Sequence, residues 1–149
     1  MIAVDTNILV YAHRPEYDDL HTRALLVMDE LANSRRPWAI PWPCLHEFVG
    51  NVTNSRIYKS PTPLPLALEA ASVWACADKV HMLGEVEESH FMTFMEICID
   101  AEVAGPRVHD ARIAAICIDH GVTQFWTADR DFFRWRTRLP IHNPLKEAP

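Results

Sequence analysis

The chain has 149 residues, 49% of them hydrophobic and 23% charged. This is the size of one domain with a sizeable core, which excludes an intrinsically disordered protein. The 14 basic and 20 acidic side chains give a net charge of -6, which disfavours a basic protein that coats nucleic acid without regard to sequence.

Short apolar runs alternate with helical patterns along the first half of the chain. We predict strands at residues 2–4 and 38–40. We predict helices at 7–12, from Asp18 or Asp19 to about Asn33, and at 43–54. Residues 55–64 include two prolines and are predicted to form a loop.

The same alternation continues in the second half. Predicted helices cover residues 66–77, 88–103 and 109–120, with Gly121 as the C-terminal cap of the last one. Predicted strands cover 80–83 and 122–127, and a short strand begins at Ile141. This order predicts an α/β fold with three α/β/α layers and a mostly parallel central sheet. We expect one domain over residues 1–149, with a core of about 1–142 and a short C-terminal tail that contains prolines.

Cysteine spacing and the apolar runs indicate the cellular environment. The four cysteines are Cys44, Cys76, Cys98 and Cys117, and none forms a C-x-x-C pair, so a structural zinc site or a redox motif has no support. Their apolar neighbours predict buried, reduced thiols. No signal peptide and no membrane span is expected, which favours a cytoplasmic protein.

Four acidic residues lie where sites form in parallel sheets. Asp5 and Asp129 follow predicted strands, Asp110 begins an apolar helix, and Glu47 lies in the helix after the second strand. Each has a structural explanation as a helix cap, a helix-start acid, a solvated side chain or a turn acid. Together they would repel one another unless a cation were bound, and oxygen ligands suit Mg²⁺ or Mn²⁺.

Four segments carry these acids: IAVDTNILVYA at 2–12, PCLHEF at 43–48, HDARIAA at 109–115 and VTQFWTADRDF at 122–132. In this order they resemble the motifs of PIN-domain nucleases, specifically the VapC toxins of prokaryotic toxin–antitoxin pairs. The resemblance implies a Mg²⁺- or Mn²⁺-dependent endoribonuclease with a PIN-like fold. It also implies a homodimer and a cognate antitoxin that occupies the active-site groove.

The resemblance assigns roles to individual residues. Asp5, Asp110 and Asp129 would hold the metal ion, and Glu47 would complete its ligand shell or orient the attacking water. Asn7 and Thr127 would orient these groups. Asp129 matches the fourth acid of the family best, and Asp131 remains an alternative or auxiliary acid.

An arginine cluster follows the last motif. Arg130, Arg134 and Arg136, together with Arg138, are interleaved with aromatic residues, which fits either an RNA-contacting edge or a solvated loop with its rings in the core. Residues 84–104 carry six acids and no Lys or Arg. They form either a solvated helix face or a docking surface for a basic partner.

Two alternatives remain open. A haloacid-dehalogenase-like phosphatase also begins with a strand that ends in aspartate, but its second acid would stand at Asn7, and the nearest lysine before Asp129 is Lys79. A catalytically inactive PIN-like module would only bind RNA or protein, although all four acids are present.

Overall fold

Five parallel strands form the centre of the structure, which is a computed structural model that describes residues 1–146. The strands are β1 (Ile2–Val4), β2 (Trp38–Pro41), β3 (Val80–Leu83), β4 (Gln124–Trp126) and β5 (Ile141–His142). The α-helices are α1 (Thr6–His13), α2 (Asp19–Asn33), α3 (Trp42–Val52), α4 (Leu64–Ala75), α5 (His90–Asp100) and α6 (Arg107–Asp119). Two 3-10 helices cover Pro15–Tyr17 and Arg130–Trp135.

The strand order is β3-β2-β1-β4-β5, and every neighbouring pair is parallel. The chain runs from β1 to β2 and β3 on one side and then crosses to β4 and β5 on the other. The order therefore reverses at β1, and a crevice forms where β1 and β4 end side by side. The α/β prediction is confirmed, and the sheet is parallel throughout.

Helices cover this sheet because its central strands are apolar on both faces. Ala3, Val4, Trp38, Ala39 and Ile40 are all buried, as expected for a parallel sheet between two helical layers. Helix α1 contacts α2 and α3, α3 contacts α4, and α5 packs on α6. The three-layer arrangement is thus confirmed.

Helix α6, whose second half is largely buried, ends as predicted but begins earlier. Gly121 has a φ of +64°, and the Val122 amide donates to the Cys117 carbonyl at 2.9 Å, which is the bonding of a Schellman motif. This motif uses Val122, so β4 begins only at Gln124 rather than at 122. The helix begins at Arg107 instead of 109 because Pro106 has a φ of -57°, which suits a helix start.

Most other differences are shifts of a few residues at helix ends. Helix α4 begins at Leu64 because Pro63 and Pro65 fit a first helical turn. Helix α5 is shorter than predicted and is followed by Glu102 at a φ of 49°. The 3-10 helix at Arg130–Trp135 was not predicted.

The cysteine prediction is wrong in part. Cys44 and Cys117 are buried, but Cys98 is half-buried and Cys76 is exposed; all four are free thiols. Cys76 is the C-cap residue of α4 and is exposed although its neighbours in sequence are apolar.

The ordered core extends beyond residue 142. Leu145 is buried, and its carbonyl accepts a hydrogen bond of 2.9 Å from Arg23 Nη1. The rest of the predicted tail, residues 147–149, lies outside the described residues. Within residues 1–146, no helix has the length and apolar character needed to cross a bilayer.

Candidate active site

The four predicted acids line one cavity of about 240 Å³ at the carboxyl ends of β1 and β4. Asp5 directly follows β1, Glu47 lies on α3, Asp110 lies in the first turn of α6, and Asp129 precedes the second 3-10 helix. Four separate segments thus bring carboxylates to the crevice where the strand order reverses, which is where ligands bind in open α/β sheets.

Asp5 is the buried member of this group, with an exposed fraction of 3%. Its Oδ1 accepts hydrogen bonds from the Thr6 amide at 2.8 Å and the Cys44 thiol at 3.6 Å. Its Oδ2 accepts from Asn7 Nδ2 at 2.7 Å and Thr127 Oγ1 at 2.6 Å. These four donors partner most of the lone pairs of a carboxylate, which compensates for its burial.

Asn7 and Thr127 extend this network to the end of β4. Asn7 Nδ2 also donates to Thr127 Oγ1 at 3.0 Å, and Asn7 Oδ1 accepts from the Ala128 amide at 3.0 Å. The Asp129 amide donates to Thr127 Oγ1 at 2.9 Å. Of the predicted supporting residues, Asn7 and Thr127 contact Asp5, and Thr127 links it to the segment that carries Asp129.

Burial and repulsion between like charges both raise the pKa values of acids in this cavity. The pKa of Asp5 is raised to about 7, mainly by burial and further by repulsion from Glu47 and Asp129. The hydrogen bonds from Thr127 and Thr6 act in the opposite direction and lower it. Burial also raises the pKa of Asp110, with further contributions from Asp129, Glu47 and Asp131 and partial relief from Arg107. Removal of solvent from carboxylates held close together produces such shifts.

Glu47 is exposed, and its position is fixed by a residue that the sequence analysis missed. Thr6 Oγ1 donates to Glu47 Oε2 at 2.8 Å and lies 3.3 Å from the Cys44 carbonyl. Thr6 thus joins the first turn of α1 to α3. Its place directly after Asp5 was the only signal in the sequence.

Asp129 and Asp131 differ in their surroundings. Asp129 lines the cavity, and its Oδ1 accepts from the Asp131 amide at 2.8 Å. Asp131 does not line this cavity; it forms an ion pair with Arg107 and lies 3.5 Å from Arg134 Nη2. The structure therefore places Asp129 with the other three acids and Asp131 in a surface ion-pair group.

The arginine cluster lies beside the cavity rather than in its lining. Arg134 Nε donates to the Asp131 carbonyl at 2.8 Å, and its guanidinium lies 5.6 Å from the Trp135 ring centre. Arg136 Nη1 contacts the Phe133 carbonyl at 3.4 Å, while Arg130 is exposed. Two of the interleaved rings, Phe132 and Trp135, are buried, as the core alternative predicts.

The acidic segment at 84–104 is partly neutralised by basic residues from later in the chain. Arg138 pairs with Glu96 at 3.0 Å and Asp100 at 3.8 Å, and Arg112 pairs with Glu85 at 2.6 Å. Such exposed pairs stabilise a fold only slightly, and they reduce the negative charge that this surface presents.

Tyrosines form a part of the cavity that the sequence analysis missed. Tyr11, Tyr17 and Tyr58 all line it, together with Asn51, and the chain has three tyrosines in total. A signal was available for two of these residues: Tyr11 follows Asn7 by four positions on α1, and Asn51 follows Glu47 by four on α3. Residues at this spacing share one helix face.

The ligand chemistry of the cavity fits a hard divalent cation. All four acids offer oxygen, Asp110 accepts no hydrogen bond from the described residues, and Mg²⁺ prefers oxygen ligands. Among residues 1–146, no group of three or more His, Cys, Asp or Glu side chains is placed so that it could hold a metal ion. A cation in this cavity would therefore also need oxygen ligands from water and substrate phosphate.

A family model and the similar proteins of known name indicate the same family for this chain. Residues 2–136 match the PIN domain. Ribonuclease VapC43 of Mycobacterium tuberculosis is 34% identical over 145 residues, which cover 97% of this chain and 96% of the relative. Ribonuclease VapC31 of the same species is 28% identical over 97% of this chain and 100% of the relative.

A solved structure shares the fold. The complex VapBC2 of Rickettsia felis, bound to a DNA fragment from its promoter, contains a chain that matches with a TM-score of 0.66 at 21% identity, over 96% of this chain and 98% of that chain. Because residues 2–136 match the PIN domain, the haloacid-dehalogenase-like alternative is wrong, in agreement with Asn7 at the place of its second acid. The chain belongs to the PIN-domain family, within the group of the VapC ribonucleases.

Proposed function

We propose that the chain is a Mg²⁺- or Mn²⁺-dependent endoribonuclease and the toxin of a type II toxin–antitoxin pair. The observation that carries the proposal is the group of four carboxylates from four chain segments around one cavity. A phosphodiester is an anion and is repelled by carboxylates. The four acids can therefore accept an RNA phosphate only if a cation lies between the carboxylates and the phosphate. The names of the VapC relatives support the reaction class.

Asp5, Asp110 and Asp129 would hold the metal ion in this cavity. A bound divalent cation supplies positive charge to the scissile phosphate and lowers the pKa of an attacking water. Glu47 is exposed at the cavity and has one oxygen that Thr6 does not engage. It therefore either completes the ligand shell or orients the water.

The surrounding polar residues hold Asp5 in place and partly offset the effect of its burial on its pKa. The hydroxyl of Thr127 and the amide of Thr6 lower the pKa of Asp5 against the effect of burial. Asn7 fixes the side chain of Asp5 from a second direction. Groups held in this way need little rearrangement when substrate binds.

We further propose an antitoxin partner, a homodimer and a cytoplasmic location. Structures that share this fold include VapBC complexes from Rickettsia felis and nontypeable Haemophilus influenzae, which supports an antitoxin. Arg130, Arg134 and Arg136 would contact the RNA backbone beside the cavity. Replacing Arg134 and Arg136 by glutamine should weaken RNA binding and flatten its dependence on salt concentration.

RNA cleavage by the purified full chain tests the enzymatic proposal. We expect labelled RNA to be cut with Mg²⁺ or Mn²⁺ and not with EDTA. Asp110→Asn and Asp129→Asn should each lower kcat/KM by about 100-fold or more, because each removes a negative ligand. Asp131→Asn is the matched control and should keep most of the activity.

Other outcomes of these assays would contradict parts of the proposal. RNA binding without cleavage under both metal ions would indicate the inactive binding module. Equal losses in Asp129→Asn and Asp131→Asn would contradict the assignment of Asp129. Hydrolysis of a small phosphomonoester at a rate comparable to RNA cleavage would contradict the ribonuclease assignment.

A further inference from the structure

The cavity changes in character along its length. Asn7 and Glu47 lie at its acidic end, and Tyr11 and Asn51 follow them by four residues on α1 and α3. Positions four apart on a helix lie about 5–6 Å from each other on one face. Over one helical turn, α1 and α3 thus both run from the end of the cavity that carries the carboxylates to the end that carries the tyrosines, which we call the tyrosine end.

Contacts among the side chains hold the tyrosine end together. The Tyr11 and Tyr17 rings meet edge to face with centres 4.8 Å apart. The Tyr17 and Tyr58 hydroxyl oxygens lie 3.1 Å apart, and the Tyr58 hydroxyl donates to Asn51 Oδ1 at 2.9 Å. The amide nitrogen of Asn51 donates to no described residue, so it remains able to donate to a ligand.

Arg14 packs against the tyrosine end from outside the cavity. Its guanidinium lies 4.1 Å from the centre of the Tyr58 ring and donates to Thr62 Oγ1 and the Ser60 carbonyl, each at 3.0 Å. The Arg14 side chain is only 10% exposed. The tyrosine end is therefore held in place before any ligand binds, which lowers the entropy cost of binding.

We propose that Tyr11, Tyr17, Tyr58 and Asn51 form a subsite for one unpaired nucleobase of the RNA, next to the phosphodiester held at the acidic end. Proteins bind unstacked bases on aromatic rings and contact their edges with polar side chains. In a nucleotide the base is one sugar away from its phosphate, which suits the single helical turn between the two ends. The inference rests on the proposed ribonuclease function.

The subsite selects a class of RNA. A base in a duplex is stacked and paired, and it must be extruded before it can enter a cavity. Single strands and loops present such a base without this cost. We therefore expect cleavage of single-stranded or looped RNA and poor cleavage of fully paired RNA.

Fluorine NMR of the full chain tests base binding without catalysis. In Asp110→Asn protein grown with 3-fluorotyrosine, the three tyrosines give three resonances, and all of them report on this cavity. We expect at least one resonance to shift with a short single-stranded RNA and none with a duplex of the same sequence. Unchanged resonances with every single strand, or equal shifts with the duplex, would overturn the subsite.

Steady-state kinetics give an independent test. Tyr11→Leu and Tyr17→Leu should raise KM for a single-stranded RNA roughly ten-fold, with a smaller effect on kcat, because base stacking is lost. Phe91→Leu is the matched control, since Phe91 is an exposed ring on α5 with a 67% exposed fraction, and its KM should not change. Wild-type KM values in both tyrosine variants would overturn the subsite, whereas a wild-type chain that cuts no RNA would overturn the proposed function itself.

Discussion

Asp5 shows how one side chain meets two structural demands. It caps α1 by accepting the Thr6 amide, which satisfies a donor that the helix leaves unpaired. It also brings a carboxylate into a crevice with three other acids, where burial and repulsion raise its pKa to about 7. The capping explanation is therefore confirmed for this residue, and it is compatible with the proposed role of Asp5 in the site.

Thr127 provides a direct test of the Asp5 network. Thr127→Val keeps the shape but removes the hydroxyl that donates to Asp5 Oδ2 at 2.6 Å, and loss of this bond should raise the pKa of Asp5 further. We expect the acidic limb of the pH–rate profile for RNA cleavage to move to higher pH. Thr127→Ser, which keeps the hydroxyl, should restore the wild-type profile, and an unmoved limb in Thr127→Val would contradict the role of this bond.

At the scale of elements, Arg14 joins the end of α1 to the segment between α3 and α4. It is the C-cap residue of α1, and it pairs with Glu16 and contacts Tyr58, Ser60 and Thr62. Hydrogen bonds to a buried charge are costly to lose because partner groups remain unsatisfied. This one side chain thus fixes a segment that has no regular secondary structure of its own.

Replacing Arg14 should therefore lower stability. We expect Arg14→Ala to reduce the free energy of unfolding by about 2 kcal/mol, measured by urea denaturation. Arg56→Ala is the matched control: Arg56 is exposed in the same segment, and its side chain forms no hydrogen bond or ion pair with the described residues. Equal losses in the two variants would show that the buried contacts of Arg14 contribute nothing specific.

The sequence predicted the elements better than the contacts between them. Periodicity and Gly121 located α6, and strand ends located Asp5 and Asp129, since both signals are local. The beginning of β4 was misplaced because Val122 completes a helix cap. Tyr58 was missed because contacts with Arg14, Asn51 and Tyr17, which are distant in sequence or lie on other elements, position it at the cavity, and no local pattern reveals them.

At the scale of the whole molecule, the acidic cavity should make stability depend on pH. The pKa of Asp5 is about 7 in the folded chain against an ordinary value of 3.8, so the folded state binds the proton more tightly than the unfolded state. Between these values, rising pH ionises Asp5 in the unfolded chain first and weakens folding. The loss is complete above about pH 7 and amounts to at most about 4 kcal/mol.

Thermal unfolding in EDTA and in Mg²⁺ measures this effect. We expect Tm in EDTA to fall between about pH 4 and pH 7, and Asp5→Asn to flatten the decline. Mg²⁺ should raise Tm at pH 8 in the wild type, because a ligand of the folded state stabilises it, and should do so much less in Asp5→Asn. Asp131→Asn is the control that should keep both responses, and a wild-type Tm without pH dependence would contradict the pKa assigned to Asp5.

The central place of β1 has a consequence for synthesis on the ribosome. The bond from Thr127 to Asp5 joins residues 122 positions apart, and β1 meets β4 only after nearly all of the chain has been made. Pairing between such distant segments forms late because of its entropy cost. A nascent chain therefore has no assembled acidic cavity, and the cell is exposed to a competent nuclease only after translation of this chain is almost complete.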